Sequence, residues 1–168
     1  MTNPDSMAIT VWGEIFNTSG IAEMAYVPPF RSTPTDTLSW PSLGTMISSG
    51  QRVVVFLDRG ANQAQVPFIL DEFTYMWETP FDETNASFSC NIDRPSGLTN
   101  GTGRLATVNH FLDTALPHNI LIPDFAEINR TNSVSGYGSL GEQALTCAAE
   151  SGKYPNFMLV DCLSPGLR

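Results

Sequence analysis

The chain has 168 residues, of which 42% are hydrophobic and 15% charged, a composition typical of one globular domain rather than of a disordered segment. Its 17 Asp and Glu against 8 Lys and Arg give a formal net charge of −9, and without a basic cluster this charge argues against a nucleic-acid partner. No apolar run reaches the ~18–20 residues that a transmembrane segment needs. Met1 leads into a polar segment rather than into a secretory signal.

The first predicted element is a helix near the N-terminus. Asn3 is placed to cap it, Pro4 suits its first turn, and Gly20 can end it. Three residues are expected on its apolar side: Trp12, Ile15 and Phe16. A connector rich in Pro, Ser and Thr follows over residues 25–41. It leads into a short helix that Gly50 closes, and the apolar face of this helix is predicted to consist of Leu43, Met46 and Ile47.

The next segment, RVVVFL at 52–57, predicts a strand that is buried on both faces, since four bulky apolar residues in a row run into Leu57. Asp58 and Arg59 follow directly, where this strand would end. The segment that starts at Asn62 is predicted to begin as a helix with an apolar stripe. The residues of that stripe are Val66, Ile69, Leu70 and Phe73.

The second half of the chain begins with a predicted loop over 82–104, which is rich in Asn, Ser, Gly and Pro. A strand is predicted for LATVNHFL, extended or mixed structure for NILIPDFAEIN, and a buried strand for NFMLVDCL, which contains Asp161. Between the last two, a helix is predicted for SLGEQALTCAAE, in which Ser139 and Glu142 form a capping-box pattern. Alternating strands and helices predict α/β architecture with parallel pairing. About three full strands are too few to cover both faces, so the chain is predicted to be part of a larger α/β domain.

The cysteines and sequons indicate an extracellular protein. Three cysteines without CxxC spacing, accompanied by two isolated histidines, do not form a zinc pattern, so no metal site is predicted. In an oxidising compartment Cys90 and Cys147 can pair. Four N-glycosylation sequons start at Asn17, Asn85, Asn100 and Asn129. The lack of a signal peptide disagrees with this localisation.

Several long segments, in order, resemble one family. They are AYVPP, WPSLGTMISSGQRVVVFLDRGANQAQVPFILDEFTYMWETPF, NIDRPSG, VNHFLDT and TNSVSGYGSLGEQALTC with PNFMLVD. Together they resemble the fungal secreted branch of the phosphatidylinositol-specific phospholipase C-like phosphodiesterases, which are TIM barrels. The resemblance implies a partial (β/α)8 barrel in which residues 1–168 supply strands five to eight with their helices, as one incomplete domain. It implies a phosphodiester or phosphoinositide-type substrate and no cofactor, and it leaves a calcium requirement open.

The resemblance also places the catalytic pair of histidines upstream, so the chain is expected to be truncated and inactive alone. His110 and His118 are thus not the expected pair. In a barrel, Asp58 and Asp161 would face the mouth, where Asn109 and His110 would line the pocket. The alternative for each aspartate is to cap the next helix or to pair with Arg52 or Arg59.

Two aromatic residues, Tyr75 and Trp77, are candidates for a substrate-binding wall together with Arg59, and the alternative for the aromatic pair is a place in the core. GYGSLG at 136–141 has GxGxxG spacing but follows a polar loop, so no nucleotide site is predicted. Two other functions stay open. The chain can be a non-catalytic half-barrel that self-associates or binds a partner through exposed strand edges, or a poorly folded fragment without function.

Overall fold

The structure is a computed structural model that describes residues 1–29 and 40–162. Most of the predicted connector at 25–41 therefore lies outside the described residues. The helices are α1 (Ile9–Thr18), α2 (Leu43–Ser48), α3 (Glu72–Tyr75), α4 (Ile128–Thr131) and α5 (Leu140–Ser151). The strands are β1 (Val55–Leu57), β2 (Ile69–Asp71), β3 (Met76–Glu78), β4 (Leu105–His110), β5 (Asp113–Leu116), β6 (Ile120–Pro123) and β7 (Phe157–Val160).

The chain divides into two compact units. The first unit consists of Met1–Met76 with Thr102–Arg104, and the second consists of Trp77–Gly101 with Leu105–Arg168. Three separate sheets are found in the described part of the chain: β1–β2, β3–β4–β7 and β5–β6. The mixed α/β class predicted from the sequence is confirmed, and the described strands do not form a closed barrel.

Helix α1 of the first unit starts later than predicted. Ala8 is its N-cap, whereas the Asn3 Oδ1 atom accepts a hydrogen bond from the Met7 amide at 2.8 Å and stabilises the preceding turn. The predicted end is confirmed, because Gly20 follows the helix with a φ of 76°, a conformation that glycine adopts without strain. The predicted apolar side is only partly buried. Trp12 and Phe16 pack on the core, but Ile15 is 49% exposed.

The core of the first unit forms around the parallel pair β1–β2. Val55 pairs with Ile69, and Leu57, which is fully buried, pairs with Asp71. The predicted strand at 52–57 is confirmed over its second half, and an isolated parallel bridge joins Val53 to Ala25. The buried cluster combines residues of both strands and of α1 with residues of the neighbouring segments: Ile9, Ala25, Val55, Leu57, Val66, Phe68 and Ile69.

The predicted helix after Asn62 is wrong. A single turn forms there, in which the Val66 amide donates to the Asn62 carbonyl at 2.9 Å. Pro67 has no amide hydrogen to continue a helix, and the apolar residues that follow it form β2 instead. The predicted face of α2 is also mostly exposed, since Met46 is its one buried residue.

The second unit contains the sheet β3–β4–β7, in which β4 and β7 run parallel and His110 pairs with Val160. Strand β4 confirms the prediction for LATVNHFL. The prediction that the last strand is buried is wrong, because among the described strands β7 pairs with β4 alone, and its residues alternate between exposed and partly buried. The predicted helix α5 and its cap are confirmed, since the Ser139 Oγ atom accepts from the Glu142 amide at 3.1 Å. The Glu142 carboxylate accepts from the Gly138 amide instead of closing a standard capping box.

Gly101 lies where the second unit leaves no room for a side chain. A Cβ atom at this position would overlap the indole ring of Trp77, which is 3% exposed. We expect Gly101→Ala to lower the free energy of unfolding by about 1–3 kcal/mol, the usual cost of overpacking. Gly44→Ala is the matched control, because its Cβ would meet only the Ser42 Oγ atom at 3.8 Å and alanine favours the helix. Urea denaturation checks both variants, and equal midpoints for them would contradict the expectation.

Candidate functional site

His110 is a buried polar residue of the second unit that is held on both sides of its ring. It is the last residue of β4, it is completely buried, and its ring lies 4.3 Å from the Phe88 ring, centroid to centroid. Its Nε2 atom faces the Thr131 carbonyl oxygen at 2.8 Å, and its Nδ1 atom is hydrogen-bonded to Gln143. Both ring nitrogens are therefore engaged inside the protein.

The partners of His110 restrict its proton positions. The Thr131 carbonyl can only accept, so Nε2 carries a hydrogen. The Nδ1 atom lies against the Gln143 Oε1 atom, and the Gln143 Nε2 group donates to the Ser89 carbonyl at 3.3 Å. This arrangement fixes the ring orientation between β4, α4 and α5. A ring held in this way cannot reach a substrate hydroxyl without breaking one of the two bonds.

Asn109 belongs to a second buried polar group. Its amide nitrogen Nδ2 donates to the Thr79 carbonyl at 2.7 Å and lies 3.4 Å from the Glu78 carboxylate. Glu78 is 4% exposed and forms an ion pair with Arg94, whose guanidinium lies 4.6 Å from the centroid of the Phe81 ring. The buried carboxylate is thus neutralised and hydrogen-bonded, as buried charges must be. Sequence reasoning missed Glu78 and Arg94, and the acid at the end of β3 was the signal that could have found them.

Two aspartates lie in electrostatically unfavourable positions in the second unit. Burial raises the pKa of Asp161 above its ordinary value, and its buried Oδ2 atom has no hydrogen-bond partner among the described residues. The pKa of Asp113 is raised by burial first, and further by the negative charges of Asp161 and Asp82. Functional sites often contain carboxyl groups that are destabilised in this way. Asp113 was not predicted, although it follows the end of β4 by three residues.

The raised pKa of Asp161 predicts a pH dependence of stability. A carboxyl group with a raised folded-state pKa contributes stability that is fully present below its unfolded pKa and is lost as the pH rises through its folded pKa. We therefore expect Asp161→Asn to raise the free energy of unfolding at pH 7, on the order of 1 kcal/mol, because it removes the charge of a partly buried carboxylate whose Oδ2 atom has no hydrogen-bond partner among the described residues. Denaturation measured from pH 3 to pH 8 checks this. The control is Asp93→Asn at an exposed position, and a loss of stability in Asp161→Asn at pH 7 would refute the expectation.

Asp58 is held by contacts within the first unit. Its Oδ1 atom accepts from the Asn3 amide at 2.8 Å, and its Oδ2 atom lies 3.5 Å from the Arg59 Nε atom. The Asp58 side chain is 8% exposed, whereas that of Arg59 is 60% exposed. The structure thus couples Asp58 to the turn before α1, and it leaves the Arg59 guanidinium largely in solvent.

The two candidate aromatic residues are buried. Tyr75 is 1% exposed and its hydroxyl donates to the Gln63 Oε1 atom at 2.9 Å. Its ring packs at 5.8 Å from Trp40 and 6.4 Å from Phe56 within the first unit. Trp77 lies within the second unit under Gly101. Neither ring presents a surface to a ligand in this conformation.

The structure joins Cys90 and Cys147 in a disulfide with a Cα–Cα distance of 5.2 Å, and Cys162 is a free, exposed thiol. The asparagines of all four sequons are exposed: Asn17, Asn85, Asn100 and Asn129. Within the described residues no group of three His, Cys, Asp or Glu side chains could hold a metal ion. The described helices include none long and apolar enough to span a bilayer.

Comparisons with known proteins identify the family. A family model described as PI-PLC X 1 matches residues 1–167. An "Uncharacterized secreted protein" of Arthroderma benhamiae is 40% identical over 169 residues, which cover 98% of this chain and 38% of that protein. A "PI-PLC X domain-containing protein 1" of the same fungus is 35% identical over 168 residues, which cover 99% of this chain and 53% of that protein. The chain thus spans about half or less of the length of these relatives, and no solved structure matches it. On the match to residues 1–167, the chain belongs to the PI-PLC X domain family.

Proposed function

We propose that residues 1–168 contribute the C-terminal half of a phospholipase C-like phosphodiesterase barrel, with strands five to eight and their helices. The PI-PLC X match over residues 1–167 is the observation that carries this proposal. The parallel pairs β1–β2 and β4–β7 support it, because barrels of this type are built from parallel strands. The relatives' additional length supports it as well. The complete barrel would be a phosphoric diester hydrolase of lipid metabolism that acts on phosphoinositide-type substrates.

The chain alone is proposed to lack phosphodiesterase activity. Such a reaction needs a base within about 2.6–3.2 Å of the attacking hydroxyl and an acid for the leaving oxygen. His110 is buried with both nitrogens bonded, and His118 lies exposed in a turn between β5 and β6. The family resemblance assigns the catalytic pair to the first half of the barrel. Asp113 and Asp161 would then contribute carboxylates that orient groups from that half.

The experiment is an assay of the purified chain on phosphatidylinositol and on a cyclic inositol phosphate, with and without calcium. We expect no turnover above that of an Asp161→Asn variant, which retains the fold. A relative of full length, assayed in parallel, controls for the substrates. Robust turnover by the chain that is lost in Asp161→Asn would refute the proposed inactivity and would support the family's chemistry in this half alone.

A second candidate is a non-catalytic half-barrel that self-associates. In the part of the chain that the structure describes, β7 pairs only with β4, and its Phe157 and Leu159 side chains are 43% and 47% exposed. An unpaired strand edge with exposed apolar residues favours association. A concentration-dependent dimer in size-exclusion chromatography that is lost in Leu159→Lys would support this candidate, and a stable monomer would exclude it.

The protein is proposed to be extracellular and glycosylated. The disulfide between Cys90 and Cys147 is of a kind that persists in oxidising compartments. The exposed sequon asparagines are accessible to a glycosyltransferase, and one relative is named as a secreted protein.

A further inference from the structure

We propose that the first sugar of an N-linked glycan on Asn85 packs on the ring of Tyr137 and into the pocket beside it. This role rests on the proposed extracellular setting, in which Asn85 is the acceptor of the sequon NAS at 85–87. The glycan would tie the sequon segment to the turn that precedes α5. It would thus be a part of the folded structure and not only a solubilising attachment.

The side chain of Asn85 is held so that its acceptor nitrogen is available. Its Oδ1 atom accepts from the Ser87 amide at 3.0 Å and from the Tyr137 hydroxyl at 3.4 Å. Its Nδ2 atom, which a glycosyltransferase modifies, has no hydrogen-bond partner among the described residues, and Asn85 is exposed. Because Nδ2 and Oδ1 share one carbon, a sugar on Nδ2 begins next to the tyrosine. Both hydrogen bonds persist after glycosylation, since Oδ1 remains a carbonyl oxygen.

Tyr137 presents an exposed aromatic ring on a turn that is fixed by its neighbours. The ring residue is 63% exposed, and its carbonyl oxygen accepts from the Arg130 guanidinium at 3.4 Å. The Gly138 amide donates to the Glu142 carboxylate at 2.9 Å. Gly138 has a φ of 73°, and a Cβ atom there would lie 2.9 Å from the Ala86 Cβ, so the turn packs closely on the sequon segment. An aromatic ring on a fixed backbone binds the apolar C–H face of a sugar with little loss of conformational entropy.

The pocket beside Tyr137 supplies hydrogen-bonding groups at the edge of the ring. It has a volume of about 120 Å³, and its wall includes Ser87, Glu142 and Thr146. The Glu142 Oε2 atom is used by the Gly138 amide, whereas Glu142 Oε1 and the Thr146 hydroxyl have no hydrogen-bond partner among the described residues. These oxygens can accept from the N-acetyl amide and the hydroxyls of N-acetylglucosamine, the first sugar of an N-linked glycan.

The covalent attachment selects the occupant. A small, open pocket binds a free sugar weakly, but a ligand on a short linker is present at an effective concentration in the millimolar range. The attached sugar therefore fills the pocket without high intrinsic affinity. Gln143 also lines the pocket, and its side chain contacts His110 and the Ser89 carbonyl. A bound sugar would cover this buried network.

The test is secretion of the chain from a eukaryotic host behind an added signal sequence, followed by glycopeptide mass spectrometry and thermal denaturation. Ser87→Ala removes the sequon but keeps the backbone amide that donates to Asn85, whereas Ser87→Thr keeps both. We expect a glycan on Asn85 in Ser87→Thr and a melting temperature about 2–4 °C lower in Ser87→Ala. Without glycans, after production in the bacterial periplasm, the two variants should melt together, which separates the glycan from the substitution itself.

Tyrosine variants locate the contact. In the glycosylated protein, Tyr137→Ala should abolish the difference between Ser87→Thr and Ser87→Ala, and Tyr137→Phe should retain it because phenylalanine preserves the ring. Trimming with an endoglycosidase that leaves one N-acetylglucosamine should also retain it, since the first sugar makes the contact. The matched control is Asn129→Gln, which removes another exposed sequon of the second unit and should leave the melting temperature unchanged.

Three results would overturn the proposed contact. They are equal melting temperatures of glycosylated Ser87→Thr and of Ser87→Ala, a difference that persists in Tyr137→Ala, and an unmodified Asn85 beside occupied sequons elsewhere in the chain. Each of these leaves the proposed extracellular setting intact. Absence of glycans from every sequon of the secreted chain would refute the contact and the proposed glycosylation together.

Discussion

Replacement of both disulfide cysteines, as Cys90→Ala/Cys147→Ala, is expected to lower the free energy of unfolding by about 4 kcal/mol. The bridge connects residues 57 positions apart, and closing a loop of that length restricts the unfolded chain by about this amount in the loop-entropy model. Domains of this size have a total free energy of unfolding of about 5–15 kcal/mol, so the loss is a large fraction of the total. Urea denaturation measures it.

The controls separate the bridge from cysteine chemistry in general. Cys162→Ala removes the exposed free thiol and should leave the denaturation midpoint unchanged. Reductant should destabilise the wild type to the level of the double variant and have no effect on that variant. If the double variant unfolds at the wild-type urea concentration, the disulfide does not stabilise this fold.

Local signals in the sequence predicted the elements that the structure confirms. Helix α5 has a capping serine at its start, and this signal acts within one turn of the helix. Strand β4 begins with a run of apolar and β-branched residues, Leu105–Val108, which predicts a strand without knowledge of its neighbours. The alternation of such helices and strands was sufficient to predict the mixed α/β class.

The wrong predictions concern segments whose residues fit two structures equally well. Ile69 and Leu70 fit a helical stripe equally well, and the strand forms because Val55 and Phe56 offer a parallel partner for them. The apolar residues of β7 predict a buried strand, but burial depends on how many strands pair with it, and β7 has one neighbour within residues 1–29 and 40–162. Such long-range contacts are absent from a local pattern.

The sequence predicted which residues belong to the candidate site better than it predicted the contacts that these residues make. Strand ends directed attention to His110 and Asp161, and both have unusual environments in the structure. The partners of His110 are 33 and 21 residues away along the chain, at Gln143 and Thr131, and no motif connects them. The sequence therefore indicated which residues carry chemistry, and the fold determined what each of them contacts.

Replacement of His110 by phenylalanine is expected to lower the free energy of unfolding by about 2–6 kcal/mol. Phenylalanine preserves a ring against Phe88, but it has no nitrogen for the Thr131 carbonyl or for Gln143. Two buried polar groups then lose their partner, and each unsatisfied group costs about 1–3 kcal/mol. Thermal and urea denaturation, with circular dichroism to verify the fold, measure the loss.

His118→Asn is the matched control, because His118 is exposed with a φ of 68° and asparagine tolerates that backbone conformation. It should leave stability unchanged. A stability of His110→Phe equal to that of the wild type would show that the buried hydrogen bonds contribute nothing and would free His110 for another role. A large loss would mean that this histidine fixes β4 against α4 and α5, so that the backbone of the strand end beside Asp113 and Asp161 is held in place before any substrate arrives.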